Sequence, residues 1–467
     1  MANVRSTDLL APLDLAFWNI ESAEHPMHLA ALGVFTAGDP GAARHAAELL
    51  ATRAAAVPGL RMRIRDVRVP VGGAAREHAP GFDPQDHVHL ADPAADFHAA
   101  AGALMERPLD RGRPPWEAHV LPGTGPSGAS FAVLFKFHHA LADGLRALTL
   151  AAGMMDPAGP ADAPPARRTS RPADPGERRG IRLPGLGSVV PGDLDPRKLP
   201  GRVLDTVAGV TRALDIGASV ARATWDVRST PALTSRPTGT RRTAGVVLDL
   251  DEVHRVRKAA GGTVNDVLLA VVAGALRRWL DERGDSSAGV LPRALVPVSR
   301  RRPRSAHPQG NRLSGYLVRL PVDDPDPLAR LRTVRTAMDR NKDAGPHRGA
   351  GAVALLADHV PALGHRLGGP VVAQAARLLF DILVTSVPLP SLGLRLGGCP
   401  LTEVYPLAPL AHGQALAVAV STYRGRVHYG LVADARAVPD LDGLARALRE
   451  ELAVLTAVTS VTFPAAD

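Results

Sequence analysis

The sequence predicts an α+β protein of two layered domains, and three observations carry that reading. Segments with period-two hydrophobicity, the mark of strands with a buried face, are mixed with segments of helical period. They do not follow the regular strand–helix–strand order of a parallel-sheet fold. At 467 residues the chain exceeds one ordinary core, and a stretch dense in proline, glycine and arginine interrupts it. The expected division is a first domain over 1–155, a connection over 156–240 and a second domain over 241–467.

In the first part, Leu29 to Phe35 reads as a strand and Gly41 to Arg53 as an alanine-rich helix. Leu60-Arg-Met-Arg-Ile-Arg65 alternates strictly, with Leu60, Met62 and Ile64 inward and Arg61, Arg63 and Arg65 on the other face. Ala94 to Arg107 is helical in composition. Trp116 to Leu121 and Phe131 to Phe137 are strands, the second with Phe131, Val133, Phe135 and Phe137 on one side. Between them, Gly123-Thr-Gly-Pro-Ser-Gly128 has a dinucleotide-binding spacing. A strand follows it where that site needs a helix, so it reads as a hairpin turn.

Pro157 to Pro200 predicts an irregular connection, and Arg202 to Trp225 an amphipathic helix, either packed across the two domains or lying on a membrane surface. Regular pattern returns at Val246 to Leu250, a strand, and Asp251 to Ala260, a helix. Thr263-Val-Asn265-Asp266 opens an apolar helix that runs to about Trp279. Ala294 to Ser299 and Leu313 to Pro321 are strands, and Pro327 to Arg340 is a helix capped by Asp326. Ile382 to Val387 is a buried strand. Gln414 to Tyr423 and Arg426 to Val432 form a hairpin around Arg424-Gly425, and Leu441 to Leu455 closes the chain as a helix.

The formal charge of +9 favours anionic partners. Nucleic acid finds no further support: there is no zinc-ligand spacing, no ribonucleoprotein signature and no basic region followed by heptads. Cys399 is the single cysteine, which excludes disulfide frameworks and cysteine metal clusters. The first residues lack an apolar signal-peptide core, and the longest apolar run, Val267 to Leu276, is too short to span a bilayer. The expectation is a cytoplasmic chain, soluble or attached to a membrane surface, with no metal.

The candidate site lies where the Phe131–Phe137 strand ends, in His138-His139-Ala-Leu-Ala-Asp143-Gly144. Among 17 histidines an adjacent pair carries little weight, and an aspartate alone reads as a helix cap. The spacing adds more, because it sets a candidate base near a carboxylate at a rigid strand-to-helix junction. Gly144 permits the tight turn. Imidazole can take and return a proton near neutral pH, so proton-transfer chemistry is the reading. Asn265 and Asp266, at a helix start, read as caps before catalytic groups.

Several blocks align along the chain: Leu9-Leu-Ala-Pro-Leu-Asp-Leu-Ala-Phe17 with Pro26-Met27-His28, Pro108 to Glu117 including Trp116, the His138–Gly144 segment, Asn265-Asp266, Val296 to Arg300 with Gly310-Asn311-Arg312, and Ser421 to Gly425 before Asp434. With these the chain resembles the bacterial wax ester synthase/diacylglycerol acyltransferases, within the chloramphenicol acetyltransferase-like superfamily of acyl-CoA-dependent enzymes. Pro115 stands where leucine is usual, Thr385-Ser386-Val-Pro388-Leu-Pro390 where Thr-Asn-Val-Pro-Gly-Pro is usual, and Ser235-Arg-Pro237 where asparagine is common.

The resemblance implies two acyltransferase-like domains of mixed sheet and helices, joined by a long crossover, with a tunnel between them. It implies acyl transfer from acyl-CoA to diacylglycerol, and also to fatty alcohols, with His139 as general base and His138 supporting it. Asp143 would organise the loop through an arginine, for which Arg61 or Arg63 is the expectation. No permanently bound cofactor is implied: acyl-CoA enters as co-substrate, its phosphates held by arginines. Partners would be lipid, at a membrane or lipid-inclusion surface. The alternatives on the same fold are acylation with a carrier protein or a specialised metabolite, and lipid binding without catalysis.

Overall fold

The computed structural model describes residues 9–69, 71–125, 130–157, 231–236, 238–299, 313–344, 380–389 and 393–462. Before the connection lie helices α1 (Pro12–Ile20), α2 (Ala42–Ala54), α3 (Phe97–Met105) and α4 (Gly144–Ala152). The strands of that part are β1 (His28–Thr36), β2 (Met62–Asp66), β3 (Ala74–His78), β4 (Val88–Leu90), β5 (Trp116–Pro122) and β6 (Ser130–His138). After the connection come β7 (Arg241–Asp249), α5 (Leu250–Ala260), α6 (Val264–Glu282), β8 (Arg293–Ser299), β9 (Leu313–Arg319) and α7 (Pro327–Ala344). The chain then forms β10 (Ile382–Ser386), β11 (Arg395–Leu396), β12 (Cys399–Leu407), β13 (Leu416–Tyr423), β14 (Arg426–Asp434) and α8 (Leu441–Thr462).

These strands form two six-stranded sheets, in the orders β11-β12-β1-β6-β5-β4 and β7-β14-β13-β10-β8-β9, with β2 and β3 a separate hairpin. Mixed pairing, antiparallel for β1 with β6 and parallel for β10 with β13, fits the α+β expectation. The domain boundary at 241 does not divide two self-contained sheets. β12, from the C-terminal part, pairs with β1 over Ala30↔Leu407 to Phe35↔Leu401 and so completes the first sheet. A sequence pattern identifies a strand and its buried face but not the neighbour it pairs with.

Helix starts follow the polar residues before them. Asp96 caps α3 by accepting from the backbone N–H of His98 and Ala99, and Asp249 caps α5 in the same way. Thr263 and Asp266 form a reciprocal capping box on α6: Asp266 Oδ2 accepts from Thr263 N at 2.7 Å, and Thr263 Oγ1 accepts from Asp266 N. The Leu60–Arg65 alternation is interrupted, because Pro58 starts a tight turn of helix through Arg61 and β2 begins only at Met62. β5 and β6 are an antiparallel pair from Trp116↔Phe137 to Pro122↔Phe131, so the glycine-rich segment is a hairpin connection. Residues 126–129 within it, the predicted helix over 202–225 and Gly310-Asn311-Arg312 lie outside the described residues.

β6 departs from its period-two reading, because both of its faces are buried. Phe131, Val133, Phe135 and Phe137 join one core with Trp116 and Leu50, while Ala132 and Leu134 join a second with Leu407, Ala417 and Val432. The second sheet covers the face expected to be open. Lys136, on that face, is fully buried at 0% exposure. Its ammonium donates to Arg107 O at 2.9 Å and lies 3.4 Å from Glu117 Oε2.

Among the described residues no single helix is long and apolar enough to cross a membrane. α5 and α6 pass that test only together, across a 101° bend, and the apolar residues of α6 are buried in the core.

Burial raises the Glu117 carboxyl, but the His119 hydrogen bond and the Lys136 charge outweigh it and hold the group down at about 2. Stability from this carboxylate is therefore present above the ordinary carboxylate range and is lost as pH falls toward 2. Glu117→Gln strands the Lys136 charge, and a loss of about 3 kcal/mol in chemical denaturation is expected. Lys136→Met, which removes the buried charge itself, is expected to cost less.

Candidate active site

The site is assembled where β6 ends. His138 N donates to Pro115 O at 2.9 Å and His139 N to Met27 O at 2.8 Å, so the backbones beside β5 and β1 fix both histidines. The chain then turns into α4, whose N-cap is Asp143: its Oδ1 accepts from Arg146 N at 2.9 Å. His138 Nδ1 accepts from Ala140 N at 3.0 Å. That bond puts the ring proton on Nε2, which faces Glu21 Oε2 across 3.4 Å inside the protein.

α1 supplies the opposite wall. Pro12 at its first position presets the helical φ, and Asp14, Phe17, Trp18 and Glu21 recur at intervals of three or four residues, which places them on one face. Phe17 stacks on the His139 ring at 4.2 Å and 24°, and Trp18 meets His138 edge-on at 5.1 Å. Arg111 lies over the Trp18 ring at 3.7 Å and donates to Trp18 O, holding the helix end in place. Glu21, at the helix C-terminus, also accepts from Met27 N at 3.0 Å and so ties the loop carrying Met27 to His138.

Asp14 is fully buried and is paired with Arg76 of β3. One guanidinium nitrogen, Arg76 Nη2, donates to Asp14 Oδ2 at 2.7 Å and to Ala140 O at 2.7 Å. A buried ion pair thereby grips the carbonyl next to His139. Arg76 thus contacts the signature loop at Ala140 O, while the Asp143 carboxylate accepts from Arg146 N. Neither Arg61 nor Arg63 does so: Arg61 is exposed in the turn before β2, and Arg63 pairs with Glu77. β2 and β3 place Arg63 directly across from Glu77, on the side away from the histidines.

A cavity of about 330 Å³ opens beside these residues, lined by His139, Asp143 and Gly144 together with side chains of both sheets. Leu29, Phe135, Phe137, Val404 and Leu407 come from β1, β6 and β12 of the first sheet, and Leu383 and Ala419 from β10 and β13 of the second. His139 is on the wall and half-buried, whereas His138 is buried behind it. The signature therefore separates into one ring facing the cavity and one ring bracing it. Gly144 faces the segment after β10, where an added Cβ would come within 3.3 Å of Val387 Cγ2.

Burial pushes the His139 imidazole below its ordinary range, opposed by its own backbone and by the Asp14 carboxylate, with the Asp143 charge a smaller influence. The ring is therefore neutral at pH 7 and able to accept a proton. Burial raises the Glu21 carboxyl, but the neighbouring His138 ring, the Met27 N–H and Arg111 outweigh it and hold the group below its ordinary range.

The remaining predicted residues do not line the cavity. Trp116 is completely buried, donates from Nε1 to Leu60 O at 2.8 Å and stacks on His87, a supporting role for β5. Asn265 and Asp266 open α6, where Asp266 acts as a cap. By contrast the Thr385-Ser386-Val-Pro388-Leu389 departure forms part of the cavity wall beside Gly144. Sequence reasoning missed Asp14, Glu21 and Arg76. The helical spacing 14–17–21 after Pro12 was the available signal for the first two. Arg76 carried none, since its partner is 62 positions away. His89, Glu117 and His119 have ligand atoms within 4.8 Å of one another. Lys136 already neutralises that carboxylate, so the group reads as compensation for a buried cation.

Comparison with known proteins decides the family. The wax ester synthase/diacylglycerol acyltransferase catalytic-domain model matches residues 10–268, and the C-terminal-domain model matches 309–456. The chain belongs to the wax ester synthase/diacylglycerol acyltransferase family. It is 32% identical over 461 residues to the probable diacylglycerol O-acyltransferase tgs2 of Mycobacterium tuberculosis, covering 95% of this chain and 98% of that one. It is 31% identical over 414 residues to tgs1 of the same organism, covering 86% and 85%. Among solved structures, the family enzyme of Marinobacter aquaeolei VT8 superposes with a TM-score of 0.68 at 22% identity, over 97% of this chain and all of that one. A trichothecene 15-O-acetyltransferase of Fusarium sporotrichioides shares the fold with a TM-score of 0.58 at 12% identity, over 96% and 94%. The expected two-domain acyltransferase-like fold is thus observed.

Two outcomes follow from this geometry. Asp14→Asn removes a charge that raises the His139 pKa, so the acid limb of kcat/KM, already below about pH 6.5, moves to lower pH. Asp143→Asn moves it less. Glu21→Ala frees the His138 ring, and a fall in kcat of about tenfold or more, with KM little changed, is expected from steady-state kinetics.

Proposed function

We propose that this family member transfers a long acyl chain from acyl-CoA to the free hydroxyl of diacylglycerol, making triacylglycerol, with His139 as general base. The observation that carries the proposal is the His139 imidazole on the wall of a largely apolar cavity shared by both sheets, where burial pushes its pKa down. The tgs relatives, named as diacylglycerol O-acyltransferases, support the acceptor class. Fatty alcohols present the same nucleophile and are the second acceptor class. The apolar wall fits acyl chains better than polar metabolites.

An alcohol is a poor nucleophile at neutral pH, while a thioester carbonyl is already activated. His139 takes the hydroxyl proton as the oxygen attacks the carbonyl carbon. The tetrahedral intermediate then collapses, the C–S bond breaks, and His139 returns the proton to the departing thiolate, releasing CoA. Proton and electrons balance without a covalent acyl-enzyme. Phe17 and the Met27 carbonyl hold the ring and backbone of His139 in place. His138, held by Glu21, fills the space behind it.

By this reading the protein works on the cytoplasmic face of a membrane or at a lipid-inclusion surface, where a lipid acceptor resides. Acyl-CoA is a substrate here, and no permanently bound cofactor enters the reaction.

The test is product analysis with free acyl-CoA, diacylglycerol and a fatty alcohol. His139→Ala is expected to lose on the order of 10²–10⁴ in kcat while remaining folded. A folded His139→Ala protein that makes triacylglycerol at the wild-type rate overturns the assignment. Turnover that requires an acyl carrier protein overturns the donor.

A further inference from the structure

The β2–β3 hairpin has a composition that its fold does not explain. Its turn exposes two valines, Val69 at 81% and Val71 at 61%, while Val67 just before them is buried. Among the described residues the other exposed large apolar side chains, Leu90, Leu291 and Val461, stand singly on separate elements. An isolated exposed valine is ordinary, but two at one projecting turn are a local apolar tip.

The charge around the tip is one-sided. Residues 61–78 hold five arginines against two carboxylates, and with Arg76 matched by Asp14 at the base, four arginines face Asp66 and Glu77. Both carboxylates are engaged within the fold: Asp66 accepts from Trp18 Nε1 at 3.1 Å, and Glu77 pairs with Arg63 and Arg65. Arg65 and Arg68 are exposed on the approach to the turn, so the apolar tip carries a basic collar.

The base of the same hairpin belongs to the active site. Arg76 holds Asp14 and Ala140 O, Leu10 N donates to Ala74 O at 2.8 Å, and Trp18 is bonded to Asp66. Five residues separate Arg76 from Val71, so the two lie within about 16 Å of each other along the chain.

We propose that the β2–β3 turn is the lipid-docking element of this protein: Val69 and Val71 enter the headgroup region of an anionic phospholipid surface, and Arg65 and Arg68 bind its phosphates. Apolar side chains ringed by arginines match such a surface in both polarity and charge. Docking there sets α1, Arg76 and the signature loop next to the layer in which a lipid acceptor resides. The inference rests on the lipid-acceptor reading above, and it names the surface by which that acceptor is reached.

The test uses the full-length protein with vesicles of phosphatidylglycerol and phosphatidylcholine, read by flotation, and the same vesicles loaded with diacylglycerol, read by triacylglycerol formation. Val69→Ser/Val71→Ser is expected to weaken partition into the mixed vesicles by about tenfold, from the apolar surface removed. Its rate on vesicle-borne diacylglycerol falls in parallel, while its rate on a short-chain alcohol in solution stays at the wild-type value. Arg68→Gln weakens partition and lowers its salt dependence. Wild-type partition by the double variant overturns the proposal. So does a change in oligomeric state in place of lost partition, which assigns the tip to contact with a second copy. A wild-type protein that binds vesicles through this turn but forms no acyl product retains the surface and refutes the acceptor reading, so the two failures are distinguishable.

Discussion

One buried ion pair, Asp14 with Arg76, connects the parts of this protein that chemistry needs together. A carboxylate with no exposure is stable in the interior only if its charge is met and its lone pairs are satisfied. Arg76 meets the charge through Asp14 Oδ2 and spends a second hydrogen bond on the Ala140 carbonyl, directly after the histidine pair. Three elements distant in sequence are thereby fixed to one another: α1, the β2–β3 hairpin and the turn after β6. The charge left on that carboxylate also acts on His139 and partly offsets the desolvation of its ring. The position of the His139 loop and the electrostatics of its ring are influenced by the same pair.

The second constraint is the sharing of strands. Were each half to build its own sheet, the face of β1 and β6 that meets the second sheet would have no fixed partner. β12 leaves the C-terminal part, pairs with β1, and delivers Val404 and Leu407 to the cavity beside Leu29 and Phe137. The cavity wall therefore includes both sheets, and Gly144 packs close to Val387 across the junction. Neither half of the chain by itself contains the whole wall around the His139 ring.

Much of this was legible in the sequence, and the rest was hidden for identifiable reasons. β6, the turn after it and α4 follow from alternation, Asp143 and Gly144, because each of those signals is local. The capping box at Thr263 and Asp266 is local as well, and it assigns Asp266 to α6 rather than to chemistry. The second buried face of β6 was not legible, since Ala132 and Leu134 do not reveal which sheet will cover them. Lys136 in particular reads as solvent-facing until Glu117 and the Arg107 carbonyl are seen around it. The arginine that reaches the Ala140 carbonyl was hidden for the same reason. Arg61 and Arg63 drew notice through a clear alternation, while Arg76 acts through contacts that cross 62 and 64 positions.

The central claim is that Asp14 and Arg76 act as a unit in holding the His139 loop. A double-mutant cycle measures this directly, with Asp14→Asn, Arg76→Gln and the pair compared in acyl-transfer rate and in chemical denaturation. Each single change leaves one buried group without its partner, so the double variant is expected to lose far less than the sum of the two. Additive losses in both rate and stability would contradict the account.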